Sequence, residues 1–577
     1  MDEPEIAPGP FLEAAEARLL ETSTDANRAD WVYQTHITED TEQLSARALA
    51  RLIAETTDLA RRSTHFRSED LSPVESRKFR LLRLSLPLVA PGDPHDSEEL
   101  TRRTIAMSST FARGRYAPHG TSDPLDLQAL SRILEENRNP TVLEDVWTGW
   151  HRIGRAIRPD FQRYVELANR GAFELGFSDL GAMWRSKYDM PPDEFARETD
   201  RLWKDVEPLY RSLHAYVRRR LREAYGPDRV PDKEPIPAYL LGNMWAQSWE
   251  AILPWLARDL GEPTYDLTQL LRDHHVSPAE IVRFGERFFV SIGFDPLPTT
   301  FWTRSMFTRP AGRDVVCHAS AWDVDFDDDL RLKMCLEITG EDFMVVHHEL
   351  GHNYYQRAYR RQPFLFRESA HDGFHEAVGD TIALSITPEY LREIGLLSES
   401  PESGGDIALL LRRALEKVAF LPFGLVVDEW RWRVFSGEVG PAEYNRSWWE
   451  MREARQGVAP PPGRDEVEFD AGAKYHVPAN VPYMRYFLAH ILQFQFHQAL
   501  VRAAGLSGPL HRSSIYGSAA AGARLRAMLE MGESREWPDA LETLTGSRRM
   551  DAGPLLEYFA PLRRWLDEQN RGTTVGW

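Results

Sequence analysis

Apolar residues recur at three- and four-residue intervals along most of the chain. FLEAAEARLLETS (11–23), LSARALARLIAETTDLARRS (44–63), LYRSLHAYVRRRLREAYG (209–226) and IALLLRRALEKVAFL (407–421) each read as one apolar stripe on a 3.6-residue helix. Alternation of period two is scarce. Its best candidate is residues 313–324, where VVCHASA can run extended. Gly/Pro punctuation at 91–96, 226–237 and 459–466 is local, and none of it has the length of an interdomain linker. The pattern predicts one mainly α unit with very little β, spanning 1–577, in two lobes around a groove.

Bulk properties narrow the partners. Hydrophobic residues make up 42% of the chain and tryptophan is plentiful, so a large core can be built. The formal net charge of -19 argues against nucleic acid and anionic membrane, both of which need a basic face. No apolar run approaches the ~20 residues of a membrane helix. The N-terminus is acidic and lacks a basic-then-apolar signal pattern. These features predict a soluble, cytoplasmic protein, a monomer or weak homodimer. The only two cysteines are Cys317 and Cys335.

Chemistry enters at EDFMVVHHELGHNYYQRAYRR. His348-Glu349-Leu350-Gly351-His352 is an H-E-x-x-H motif. Positions i and i+4 share a helix face, so both imidazoles converge on one point suited to zinc. Glu349 lies beside them as a general base for an attacking water. The apolar Phe343, Val345 and Val346 ahead of the motif predict a buried helix, where such a cluster without metal is costly. A third ligand is needed, and HDGFHEAVGDTIALSI (371–386) offers Glu376 and Asp380 at i and i+4. One carboxylate can bind metal while the other accepts a ring N–H from a zinc histidine. His375 is a rival ligand, but it points away from the Glu376 face. His347 falls outside the register and reads as a core or surface histidine.

With these residues in view, the chain resembles the angiotensin-converting enzyme family of zinc peptidyl-dipeptidases. The likeness rests on VVCHASAWD, VVHHELGH, GFHEAVGD, FLPFGLVVDEWRWRVFSG, GAKYHVPANVPYMRYF and ILQFQFHQAL, and it is dense from about Leu240 onward. It implies an all-α ellipsoid split by a deep groove. Lid helices would fall at roughly 1–100 and zinc-binding helices at roughly 343–390. It implies one zinc per chain on His348, His352 and Glu376, with Glu349 as base and Asp380 behind His348. Oxyanion donors fall on Tyr486 and His476. Anchors for a peptide's terminal carboxylate fall on Gln247, Lys474 and Tyr483. His318, Ala319 and Ala321 match a substrate-binding strand. Two chloride sites would fall on Arg185, Trp448 and Arg452, and on Tyr216 and Arg485. Cys317 and Cys335 match a family disulfide.

The implied reaction follows from the anchor. Two extended residues span roughly 7 Å. A carboxylate fixed that far past the metal releases a C-terminal dipeptide. Lys474 is notable in a chain with seven lysines among 69 basic residues, since a compact ammonium suits a tight pocket differently from a guanidinium. The sequence also departs from the family: Ser513 stands where a cysteine is expected, and the signal peptide, membrane anchor and second catalytic domain of the large vertebrate form are not evident. Two other readings compete. One is an endo-oligopeptidase or single-residue carboxypeptidase on a similar helical scaffold; the other is a non-catalytic peptide-binding protein.

Overall fold

The computed structural model describes residues 7–66, 71–257, 260, 265–399 and 405–577; positions 1–6 and 67–70 of the expected lid lie outside that set. All four apolar stripes fold as helices. The first two give α1 (Pro8–Thr35) and α2 (Glu39–Ser63), and α3 (Pro73–Leu84) follows. Sequence punctuation explains the boundaries. Thr38 with Thr41, and Ser72 with Glu75, form reciprocal capping boxes at the starts of α2 and α3. These three helices build a small core of their own from Phe11, Leu12, Leu19, Leu59, Phe79 and Leu82. A second, larger core starts at Ala60 on α2 and Leu84 on α3 and continues to Leu566. The 209–226 stripe lies in the long α4 (Pro192–Tyr225).

The extended segment is shorter than predicted. Only β1 (Ser320–Asp323) pairs with β2 (Leu330–Lys333), antiparallel, with Ala321 opposite Leu332. Upstream backbone groups are taken by other partners: Val316 N–H donates to Gln34 O of α1 (2.8 Å), and Lys333 Nζ donates to Val316 O and His318 O (3.0 and 2.6 Å). Cys317 and Cys335 are bonded beside this hairpin, with Cα atoms 4.9 Å apart. Met306 pairs along the outer edge of β2. Among the described residues no strand covers the outer edge of β1. Helix α1 packs on the hairpin through Trp31 against Trp322, ring centroids 5.5 Å apart, and through Asn27, which donates to Asp323 O.

Two helices carry the metal motif: α5 (Gly340–Tyr359) and α6 (Asp372–Leu384). Thr339 caps α5 by accepting from Asp342 N–H. They cross so closely that a β-carbon on Gly351 would sit 2.7 Å from Gly379 Cα. A β-carbon on Gly379 would meet His348 O at 2.7 Å. Only glycine permits that approach. The 407–421 stripe is helical but not uniform. It runs through α7 (Asp406–Arg413), one π-helical turn at Ala414–Val418, and α8 (Ala419–Phe435). Behind α6 lies α9 (Met484–Ala503), apolar on nearly all faces and correspondingly buried. No helix among the described residues is long and apolar enough to cross a membrane.

Candidate active site

Helices α5 and α6 bring His348, His352 and Glu376 to one vertex, with ligand atoms all within 4.8 Å of one another. The two Nε2 atoms stand 3.0 Å apart, and Glu376 Oε2 lies 3.6 Å from His348 Nε2. Ligands about 2.0–2.1 Å from a tetrahedral zinc are spaced about 3.4 Å from each other, so this donor set fits the ion. The outer nitrogens also have suitable partners. His348 Nδ1 faces Asp380 Oδ1 at 3.2 Å, which leaves Nε2 free to ligate. His352 Nδ1 faces His375 Nδ1 at 2.6 Å, and a proton on His352 Nδ1 likewise leaves its Nε2 free. His375 is therefore not at the vertex; it stands behind His352.

The electrostatics match the geometry. Burial opposes charge on His348, but Asp380 and Glu376 outweigh it and raise the metal-free imidazole to about 10. Burial would raise Glu376, yet His348 and the His352 charge bring it down to about 2. Burial likewise opposes Asp380, but Lys417 and His348 hold it well below the usual carboxylate range. Lys417 Nζ lies 3.3 Å from both Asp380 oxygens, and Gln493 Nε2 donates to Oδ2 at 3.0 Å. The Glu349 carboxylate, 9% exposed, makes no hydrogen bond or ion pair with a described residue. His347 is buried and bonded to Phe343 O and Tyr390 Oη.

A second group of side chains gathers around α8. Asp428 and Arg431 on α8 organise it. Asp428 Oδ2 accepts from Tyr483 N–H and Met484 N–H (2.7 Å each), and Arg431 donates to His476 O and Val481 O. This pair pins the segment 474–484 that carries Lys474, His476 and Tyr483. Lys474 Nζ donates to Gln247 Oε1 at 2.7 Å and lies 4.1 Å from the Trp245 ring. It is 5% exposed, and among the described residues no carboxylate reaches it. Burial pushes its ammonium down to about 7. Gln247 is presented by a strained residue, Ala246 at φ 53°, held by Gln456 and Trp249 side chains donating to its carbonyl.

Aromatic contacts connect this anchor to Tyr486, which feels the Glu376 charge. Lys474 Nζ is 5.4 Å from the Tyr483 ring, which is 4.9 Å from the Tyr486 ring. Burial and then the Glu376 charge raise Tyr486 to about 12, so it keeps its proton at neutral pH. His476 is 5.7 Å from Tyr486, ring to ring; burial and the Lys474 charge lower it to about 2, so it is neutral. His318 is exposed on the segment leading into β1, with Ala319 and Ala321 half-buried beside it.

Of the residues matched to chloride, Trp448 and Arg452 lie together, the guanidinium 5.5 Å from the ring. Arg185 lies over the Trp432 ring, with Asp193 3.7 Å from its guanidinium. Arg452 is buried against Phe423, Trp448 and Trp449 and donates to Gln456 Oε1 and Trp245 O. Tyr216 donates to Leu256 O and packs on Trp565. Arg485 instead meets Asp372 at 3.2 Å, beside Tyr188. A further acidic group, Asp93, His95 and Asp96, is an exposed helix cap whose acceptors are occupied by backbone N–H groups and arginines.

Residues 3–577 match the family model described as angiotensin-converting enzyme. The chain belongs to the angiotensin-converting enzyme family. It is 40% identical to rat angiotensin-converting enzyme over 596 residues, covering 100% of this chain and 45% of the relative. The pig angiotensin-converting enzyme is 48% identical over 454 residues, 78% of this chain and 34% of that one. The chain thus spans half or less of the length of these mammalian relatives. The angiotensin-converting enzyme of the leech Theromyzon tessulatum is 39% identical over 565 residues, 94% of this chain and 89% of the relative.

Proposed function

We propose that the protein is a zinc peptidyl-dipeptidase that removes dipeptides from the C-termini of short peptides. The observation that carries the reading is the pairing of a zinc-competent vertex with a buried ammonium that no described carboxylate neutralises. A bound zinc would supply Lewis acidity toward the scissile carbonyl and the attacking water. Glu349, with an unengaged carboxylate, takes the proton of that water. Tyr486 and neutral His476 donate toward the oxyanion. Lys474, Gln247 and Tyr483 hold the terminal carboxylate, and the rings between anchor and vertex suit two extended residues. The uncovered edge of β1 offers backbone groups to the peptide as an added strand, near His318, Ala319 and Ala321.

One domain over 1–577, with α1–α3 as the lid, suits this chemistry. Chloride fits Arg452 beside Trp448, where burial lowers the guanidinium to about 9; Arg485 already has Asp372. The monomer or weak homodimer and the cytoplasmic location remain part of this reading. The Cys317–Cys335 bond weighs against the cytoplasm, since such bonds persist outside reducing compartments.

Product analysis on a blocked tripeptide and its C-terminal amide tests the reading. The free acid yields a dipeptide and the amide is cleaved poorly. Equal cleavage of both favours an endo-oligopeptidase; release of single residues favours a carboxypeptidase; no cleavage by zinc-loaded protein favours a binding protein.

A further inference from the structure

The π-helical turn Ala414–Val418 interrupts a stretch that the sequence writes as one continuous helix. A π turn inserts an extra residue and re-aims the side chains around it, and such turns concentrate at functional sites. Here it carries Lys417. The Lys417 Nζ lies 3.3 Å from Asp380 Oδ1 and Oδ2 and 3.1 Å from Glu416 Oε1. Asp380 Oδ1 in turn faces His348 Nδ1. A chain of three contacts therefore runs from the π turn to the vertex: Glu416, Lys417, Asp380, His348. Lys417 side-chain exposure is 15%, whereas Glu416 is 44% exposed.

Charge accounting shows what this chain can do. Glu349, Glu376 and Asp380 bring three negative charges to or next to the vertex, and Lys417 is an ammonium in direct contact with Asp380. Glu416 adds a further carboxylate on the other side of that ammonium. A carboxylate behind a metal-ligating histidine raises the basicity of that ligand. An ammonium on the same carboxylate draws its charge away and limits the effect.

We propose that Lys417 is a positioning residue that sets how strongly His348 donates to the metal, trading zinc affinity for Lewis acidity. The proposal rests on the zinc site described above. Loss of the ammonium leaves Asp380 more basic and the vertex one charge more negative. Zinc is then held more tightly, and catalysis slows because the bound dication is a weaker acid. A residue that merely packs would lower metal affinity and stability together.

The experiment measures zinc dissociation constants by competition with a chromophoric chelator, with kcat and KM in parallel. For Lys417→Met the zinc dissociation constant falls and kcat drops, each on the order of 10- to 100-fold, the usual scale for outer partners of metal ligands, while KM is unchanged. Lys417→Arg keeps the cation and stays within a few-fold of wild type. Glu416→Gln, a change at a half-exposed side chain that leaves folding intact, frees the ammonium to act on Asp380 alone. It shifts zinc affinity the other way, weakening it several-fold, and remains informative if Lys417→Met fails to fold. Weaker zinc binding in Lys417→Met, or tighter binding in Glu416→Gln, overturns the proposal, as does no change in either. A wild-type protein that takes up no zinc refutes the metal site itself; a zinc-loaded wild type with unresponsive variants refutes only the role of Lys417.

Discussion

Lys474→Met separates a binding role from a structural one by opposite signs. In the free protein the ammonium is 5% exposed and has Gln247 and aromatic faces as company, with no described carboxylate. Burial lowers it from 10.5 to about 7. Each unit is worth about 1.4 kcal/mol, so holding the charge costs up to roughly 5 kcal/mol below pH 7. Between about 7 and 10.5 the unfolded chain binds more protons at this position than the folded one, so stability rises with pH across that window. Methionine fills similar volume without charge. The variant should therefore melt at a higher temperature than wild type at pH 7, by several degrees, and lack this contribution to the rise with pH. Substrate binding moves the other way. Truncating one partner of a buried charge pair costs about 2–5 kcal/mol, so kcat/KM for a free-acid peptide falls by roughly 30- to several thousand-fold, carried mainly by KM. Calorimetry and steady-state kinetics read both. A lower melting temperature with unchanged KM would refute the anchor: Lys474 would then be a packing residue.

Other outcomes follow from the same geometry. Glu349→Gln retains one zinc per chain by metal analysis but loses about 10²- to 10⁴-fold in kcat, the range for a general base; wild-type turnover would remove Glu349 from that role. His352→Ala loses the metal itself under dialysis, because one of three ligands is gone. Gly379→Ala places a β-carbon 2.7 Å from His348 O and 2.8 Å from His348 Nδ1. Relief requires α5 and α6 to separate, at about 1–3 kcal/mol of overpacking and with weakened zinc binding; a variant matching wild type in melting temperature and zinc affinity contradicts the close crossing. Thiol titration of denatured, unreduced protein should find no reactive thiol, and two would show that Cys317 and Cys335 are not bonded in solution.

The sequence exposed what local spacing encodes. His348 and His352 at i, i+4, and Glu376 and Asp380 at the same interval, are each on one helix, so their convergence needed only helical geometry and one close crossing. The helix-dominated fold was legible for the same reason. What escaped depends on long-range packing. Lys417 reaches Asp380 from 37 residues away across a π turn that no apolar stripe announces. His375 faces away from the vertex yet supports His352, because the two helices cross at an angle that the second helix alone does not reveal. Arg485 pairs with Asp372, a partner that no sequence spacing announces. Strand β1 came out short because α1 and Lys333 compete for the backbone groups of residues 316–318.

The zinc vertex itself is tested most directly by diffraction from crystals of the zinc-loaded protein at the metal's absorption edge. One anomalous peak is expected about 2.0–2.2 Å from His348 Nε2, His352 Nε2 and a Glu376 oxygen, with Glu349 unligated beside it. No peak at that vertex, or a peak held by the imidazoles with Glu376 turned away, would contradict it.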